Sequence, residues 1–297
     1  MYSSASGLDI GSQNNEILFG YSQVHTMKKI AEMDDVSEIV YKLQTIADLV
    51  LDKSCLRLAM NATPTAMERS VSALKSYLGN IKGVSEMSQV FPEVDEIKAT
   101  SHKTHYQLPF SVNFVAQSFP AVKYTHKDYA PLNVLATLMS RKFLHREIRE
   151  KGGAYGSGAL MSPGVFSFFS YRDPESVATL DVFHRCGQWA ATGDISAEDV
   201  EEAKLGVFQK SDKPVPPGSR GQMRFLYDIS DDMRQTNRDR LFNVTEEDVR
   251  RVAALYLNEE KCPNGVAILG PSNSSIKEDE GWTVVTTEEA AEEKAQA

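Results

Sequence analysis

The sequence predicts an α+β fold in which helices pack on one face of a mixed, mostly antiparallel sheet. The chain has 297 residues, of which 41% are hydrophobic and 25% charged, so it can bury a sizeable core. From residue 106 onward the patterns follow the order strand, long helix, hairpin, several helices and strand. Strands that neither alternate regularly with helices nor all follow one another favour this layered arrangement.

The first hundred residues predict helix, strand and helix. Apolar residues recur at helical spacing over 22–49, enough for two helices, and over 65–78. Between them, residues 55–62 alternate in the manner of a half-buried strand. The periodicity fades over 79–105, which predicts a linker.

A second unit is predicted from residue 106. Residues 106–119 alternate as a strand, and 128–151 form one long amphipathic helix that the glycine pair at 152–153 ends. Residues 154–172 predict a hairpin, and 264–270 a short buried strand. N-cap signatures predict three further helix starts, at Asp173-Pro174, Ser196 with Asp199, and Thr245 with Asp248.

Charge and composition exclude several classes of partner. Residues 277–297 hold seven acids and two lysines, so −5 of the net charge of −9 lies there and −4 elsewhere, which argues against nucleic-acid binding. No stretch approaches the roughly 20 apolar residues of a membrane span, so no membrane association is expected. The acidic tail, 276–297, is predicted to be disordered.

No metal site is predicted on this chain. A zinc peptidase needs two imidazoles and carboxylates at HExxH or HxxEH spacing, and neither motif occurs. The pair His102 and His105 falls in the predicted linker with no acid beside it, which favours a solvated stretch.

Glycines 152, 153, 156 and 158 surround Tyr155 without forming a phosphate loop. They follow a helix and begin a strand, whereas a phosphate loop follows a strand and begins a helix. A helix cap with a tight turn accounts for the first two glycines. Gly156 and Gly158 leave one face of the strand bare, so that another backbone or a ligand can come close.

Arg149 and Tyr155 are the candidate catalytic residues. Arg149 fits a solvated last-turn cation that the helix dipole favours. The functional alternative, which spacing alone does not favour, is a guanidinium that converges with the Tyr155 phenol to hold a peptide carbonyl and its oxyanion. Spacing alone leaves both alternatives open.

Residues 143–174, FLHREIREKGGAYGSGALMSPGVFSFFSYRDP, resemble the C-terminal part of the presequence proteases, pitrilysin-type peptidases of mitochondria and plastids. Together with other matching pieces, the resemblance covers nearly all of 20–275. Those pieces, in chain order, are MKKIAEMDD, RLAMNATP, LPFSVNFV, EEAKLGVF, FLYDISDDMRQ and GVAILGP.

The resemblance implies four pitrilysin/LuxS-like units that close as two halves around a chamber. Residues 1–100 would then end the third unit and include a linker, and 106–275 would be the fourth unit. In the family, zinc is bound by HxxEH in the first unit, so its ligands would belong to the N-terminal half and not to this chain. Arg149 and Tyr155 match the arginine and tyrosine with which the last unit completes the active site.

The same resemblance implies a metalloendopeptidase of the mitochondrial matrix that degrades cleaved presequences and other short unstructured peptides. We expect this chain to be a fragment of that enzyme, inactive alone, although a genuine half-enzyme that pairs with a separate N-terminal half stays open. No transit peptide is evident on it. Two rival hypotheses are a catalytically silent pitrilysin-fold structural subunit, which has no need of both Arg149 and Tyr155, and an unrelated α+β binding module.

Overall fold

The computed structural model describes residues 1–53, 56–81, 83 and 97–286, which divide into two compact units. The larger unit holds the sheet and the candidate site, and the smaller one is helical. Described residues of the larger unit are 1–27, 97–212 and 233–286; those of the smaller unit are 28–53, 56–81, 83 and 213–232. The units that the resemblance predicts, residues 1–100 and 106–275, are homologous repeats of the family. They are defined differently from these two compact units, so their boundaries stay a prediction.

Eleven α-helices and six strands are seen in the described residues. The helices are α1 (Tyr2–Ala5), α2 (Ile10–Phe19), α3 (Tyr21–Ala31), α4 (Ser37–Val50), α5 (Pro64–Gly79), α6 (Tyr129–Met139), α7 (Val177–Thr192), α8 (Ala197–Ser211), α9 (Gln222–Tyr227), α10 (Asp231–Phe242) and α11 (Glu246–Tyr256). The strands are β1 (His102–Gln107), β2 (Asn113–Pro120), β3 (Gly156–Ser162), β4 (Val165–Asp173), β5 (Gly265–Gly270) and β6 (Thr283–Val285).

The six strands form one mixed sheet in the order β3-β4-β2-β5-β1-β6. The pairs β3–β4, β4–β2 and β2–β5 are antiparallel, whereas β5–β1 and β1–β6 are parallel. The predicted mixed, mostly antiparallel sheet is therefore confirmed. Strand β3, which begins directly after Tyr155, lies at one edge.

Alternating side chains of β2 separate the two faces of this sheet. Phe119 is buried with Phe166 in the core that α6, α7, α8 and α11 form on one face, and Phe168 stacks on Phe183 of α7 with centroids 5.3 Å apart. Ser118 lies on the opposite face. Its hydroxyl is 2.8 Å from that of Ser4, so α1 packs against that second face.

The predicted helix over 128–151 is a single helix with a change of pitch. It begins as α6 and continues from Ser140 to Lys151 as a π-type helix, here called the π segment. In such a segment the backbone N–H groups bond five residues back instead of four, a geometry that recurs at functional sites. Leu144 and Ile148 are its buried residues and anchor it to the core.

The helical unit corrects the strand predicted at 55–62. Residues 56–62 are irregular, while residue 55 lies outside the described part. Alternation yields a strand only where a neighbouring strand can pair with it, and the described residues of this unit contain none. The segment is held instead by side chains: the Asn61 amide donates to the Arg220 carbonyl at 2.6 Å, and the Arg57 guanidinium lies 5.2 Å from the Phe225 ring centroid.

Three further boundaries differ from the prediction. The single strand at 106–119 is two strands, β1 and β2, and β1 extends back to His102 into the predicted linker. Residues 82 and 84–96 of that linker lie outside the described residues. The tail is ordered through residue 286, because Ile276 is buried and β6 pairs with β1; its remainder, 287–297, is also outside the described part.

Candidate active site

The turn that links the π segment to β3 carries both candidate catalytic residues. The helix ends at Lys151, and Gly153 adopts the left-handed conformation, with φ 79°. Its N–H donates to the Arg149 carbonyl at 3.1 Å, and the Ala154 N–H donates to the Ile148 carbonyl at 3.1 Å. This glycine cap is the predicted one, and it reverses the chain within four residues.

Arg149 is exposed in the last turn of the π segment. Its Nη1 lies 3.2 Å from Nε2 of His145, whose Nδ1 is 3.2 Å from Oε1 of Glu150. No described carboxylate forms an ion pair with the Arg149 guanidinium within 4 Å. The Arg149 guanidinium therefore contacts an imidazole rather than a carboxylate.

Tyr155 presents its phenol to solvent. The residue is 68% exposed, and within the described part of the chain its hydroxyl has no hydrogen-bond partner. Its backbone N–H donates to the Arg172 carbonyl at 3.3 Å, and its ring lies edge-on to Tyr171 with centroids 5.9 Å apart. Arg149 and Tyr155 thus lie before and after one short turn, and no hydrogen bond between their side chains is seen among the described residues.

Sequence reasoning missed a row of aromatic rings that leads to Tyr155. Phe110 contacts Phe114 at 5.8 Å between centroids, Phe114 contacts Tyr171 at 5.3 Å, and Tyr171 contacts Tyr155. Phe114 alternates with the core residue Val115, so this part of β2 is apolar on both faces. That two-sided apolar pattern is the signal that could have found the row.

Arg172, beside Tyr155, has a strained backbone. Its φ is 50°, a region that non-glycine residues rarely adopt, and β4 pairs with β2 through a register shift next to it, between Asn113 and Val115. Such outliers persist where the surrounding structure enforces them and are often found at functional sites. The Arg172 guanidinium also lies 5.8 Å from the Tyr171 ring centroid.

The two glycines of β3 differ from one another. A Cβ added at Gly156 would meet no atom within 4 Å, so the strand is open there. At Gly158 it would lie 3.1 Å from Ser140 Oγ and 3.2 Å from the Phe169 ring. The predicted bare face is thus real at Gly156, whereas close packing explains Gly158.

The two histidines of the former linker do not converge. Both lie on β1, and three residues apart they are on opposite faces of the sheet. His102 Nε2 is 3.1 Å from the Ser3 carbonyl, and His105 is fully buried with its Nε2 3.2 Å from the Pro271 carbonyl. Among the residues that the structure describes, no group of three His, Cys, Asp or Glu could hold a metal ion, so they do not fit a zinc site.

Nor is any described helix long and apolar enough to span a bilayer.

Solved structures with the same fold include peptidases. A protease from Helicobacter pylori superposes with a TM-score of 0.56 at 16% identity, over 69% of this chain and 52% of that one. The peptidase M16 inactive domain from Pseudomonas fluorescens gives a TM-score of 0.52 at 17% identity, over 71% and 52%. Complex III2 from Candida albicans gives 0.53 at 12% identity, over 72% and 55%. The fold is that of the M16, pitrilysin-like peptidases, which by itself does not separate enzymes from other proteins.

Comparison with related sequences identifies the family within this fold. The family model "PreP C-terminal domain" matches residues 103–269, more than half of the chain. "Presequence protease, mitochondrial" of Danio rerio is 44% identical over 291 residues, and that of Schizosaccharomyces pombe 39% identical over 274; each alignment covers 91% of this chain. The chain belongs to the presequence protease family. It spans 28% and 27% of the length of those two relatives.

Proposed function

We propose that this chain is the C-terminal part of a zinc metalloendopeptidase that degrades cleaved mitochondrial presequences and other short unstructured peptides. The observation that carries the proposal is the turn between the π segment and β3. There, the Arg149 guanidinium and the Tyr155 hydroxyl are exposed donors; the guanidinium contacts His145 but no described carboxylate, and the hydroxyl has no described hydrogen-bond partner. Family membership supports the reaction class, and the relatives' names support a mitochondrial location.

Within this proposal the two side chains act as electrostatic catalysts. As a peptide bond is attacked, negative charge develops on its carbonyl oxygen, and a phenol O–H aimed at that oxygen stabilises the transition state. The guanidinium holds the neighbouring substrate carbonyl or carboxylate by paired N–H bonds. Zinc, which would polarise the carbonyl, belongs to the HxxEH half of the enzyme, and the described residues offer it no site.

The open strand at Gly156 supports the proposal that the substrate is a peptide. Because Gly156 has no side chain, and no atom lies within 4 Å of the point that a Cβ would occupy, an extended backbone can approach beside Tyr155. The aromatic row from Phe110 to Tyr171 supplies apolar surface next to it. Together these features suit an unstructured chain better than a small polar ligand.

Exposed apolar residues of the helical unit support the proposal that this chain packs against another half of the enzyme. Helix α4 has no buried residue, and its Leu43, Ile46 and Leu49 are 59%, 55% and 51% exposed. An amphipathic helix gains its stability by covering such a stripe. We propose that the N-terminal half of the enzyme provides that cover.

The test is peptide hydrolysis by the full-length protein that carries this chain and the HxxEH half. Tyr155→Phe and Arg149→Ala should each lower kcat/KM by about 10²–10³-fold, the usual effect of removing one oxyanion donor. Tyr227→Phe and Arg146→Ala, which alter an exposed tyrosine elsewhere and a neighbouring arginine paired with Glu147, are the matched controls. Full activity in both site variants would refute these roles, and no hydrolysis by the unaltered protein would favour a structural subunit.

A further inference from the structure

His145 stands between Arg149 and Glu150 in the π segment. Its Nε2 is 3.2 Å from Nη1 of Arg149, and its Nδ1 is 3.2 Å from Oε1 of Glu150. In the described part of the chain, the elements packed on the π segment, which are α6, α7 and β3, give this imidazole no further hydrogen bond or ion pair. The same holds for α8, whose acids instead pair with Lys142.

Only one state of the imidazole satisfies both contacts. A guanidinium can donate but not accept, so Nε2 must carry a lone pair for the Arg149 contact to be a hydrogen bond. The ring proton then lies on Nδ1, which faces the Glu150 carboxylate at 3.2 Å. A doubly protonated ring would instead set an N–H and a positive charge against the guanidinium.

The pitch of the π segment makes this arrangement possible. Residues four and five positions after His145 both lie one turn further along, because the backbone bonds five residues back. One ring can therefore contact both side chains. In a regular α-helix the fifth residue would have turned away from it.

The partner of Arg149 also differs from those of neighbouring cations. Lys142 pairs with Asp199 and Glu202, and Lys151 pairs with Glu147. A carboxylate on Arg149 would compete with a substrate for the guanidinium and neutralise its charge. An imidazole that accepts through Nε2 fixes the geometry while leaving the guanidinium charge for the substrate.

We propose that His145 is a positioning residue, held by Glu150 in its Nδ1–H tautomer so that its Nε2 orients the Arg149 guanidinium. The expected effect on catalysis rests on the proposed function of Arg149. The contacts of His145 do not depend on it. In this role the histidine acts through Arg149.

The tautomer can be measured on this chain directly. In ¹⁵N-histidine-labelled protein at neutral or mildly alkaline pH, His145 should show a protonated Nδ1 and an unprotonated Nε2, with the signal assigned by its loss in His145→Gln. In Glu150→Ala the preference should weaken. A dominant Nε2–H tautomer in the unaltered chain would overturn the proposal.

A double-mutant cycle in the full-length enzyme tests the coupling. His145→Leu should lower kcat/KM roughly 10-fold, because it misorients the guanidinium that holds the substrate. His145→Gln, whose amide oxygen is a neutral acceptor, should recover most of that loss. In the Arg149→Ala background, His145→Leu should have no further effect. Lys151→Ala, which breaks an ion pair on the same turn, is the control.

The outcomes separate the two proposals. If Arg149→Ala leaves kcat/KM unchanged, the proposed role of Arg149 fails. If Arg149→Ala lowers kcat/KM but His145→Leu does not, or lowers it equally in both backgrounds, only the positioning role of His145 fails.

Discussion

The hydroxyl of Ser140 accepts a hydrogen bond from the backbone N–H of Ala159 at 2.8 Å and donates to the Ala136 carbonyl at 2.7 Å. Ser140 is the first residue of the π segment, and Ala159 is at the middle of the edge strand β3. This one side chain therefore ties the strand that begins after Tyr155 to the helix that carries Arg149. Ser157 adds a second tie, to the Leu144 carbonyl at 3.1 Å.

Replacing Ser140 should therefore loosen the edge strand. Ser140→Ala leaves the Ala159 N–H without its acceptor, and we expect the free energy of unfolding to fall by about 1–2 kcal/mol. Urea denaturation of the chain measures it. Ser162→Ala, at the exposed end of the same strand, is the control, and equal midpoints for the two variants would contradict the role of Ser140.

The two glycines of β3 should respond oppositely to alanine. Gly158→Ala sets a methyl group 3.1–3.2 Å from Ser140 and Phe169 and should cost about 1 kcal/mol or more of stability. Gly156→Ala meets open space and should leave stability unchanged or raise it by up to about 1 kcal/mol. Thermal unfolding of both variants decides this, and a destabilised Gly156→Ala would show that the strand is not open there.

His105 should make the fold sensitive to acid. Burial lowers its pKa, an effect that the hydrogen bond to the Pro271 carbonyl only partly offsets. A base with a depressed folded pKa binds protons more readily when unfolded, so stability is lost as pH falls below about 6.5. His105→Gln keeps a donor for Pro271 but does not titrate. Its unfolding midpoint should fall less than that of the unaltered chain between about pH 7.5 and about pH 5.5, and parallel curves would exclude this role.

Tyr256 should contribute stability that is lost at alkaline pH. Burial, together with the hydrogen bond to Asp128 at 2.9 Å and the charge of that carboxylate, raises the pKa of Tyr256 to about 12. A raised folded pKa stabilises below the unfolded value of about 10, and that contribution disappears as pH rises through the folded value. Tyr256→Phe should cost about 1 kcal/mol at neutral pH, because Asp128 loses a donor but keeps Arg251 at 2.8 Å. The difference between the two proteins should shrink by about pH 11, and a constant difference would contradict the shift.

The features that the sequence predicted well are those with local causes. The hairpin at 154–172 follows from its turn, where Gly164 has φ 94°, and both capping boxes, Ser196 with Asp199 and Thr245 with Asp248, form as predicted. The glycine cap after Arg149 has the same local origin. For that reason the backbone on which the candidate catalytic pair stands could be derived, although the roles of the pair stay a prediction.

The features that were missed depend on distant neighbours. The polar stretch His102-Lys103-Thr104-His105 gives no strand signal, yet it forms β1 because β5 and β6 enclose it. Asp173 was predicted to cap a helix, but the helix begins at Val177 with Ser176 before it. The Asp173 carboxylate instead accepts from the Glu175 N–H and the Thr179 hydroxyl at 2.9 and 2.7 Å, since β4 extends to that residue. The change of pitch at Ser140, and hence the His145 contacts, has no signature in the apolar spacing.

The position of β1 has a consequence for synthesis on the ribosome. Both of its partners, β5 and β6, are translated near the end of the described chain, whereas β1 emerges before most of the larger unit. Such non-local pairing delays the closing of the sheet and leaves hydrogen-bonding groups of the strand exposed in the nascent chain. Until residues 265–285 have left the exit tunnel, this half of the sheet has no means of forming, so a premature stop codon just before them should yield a polypeptide that chaperones retain.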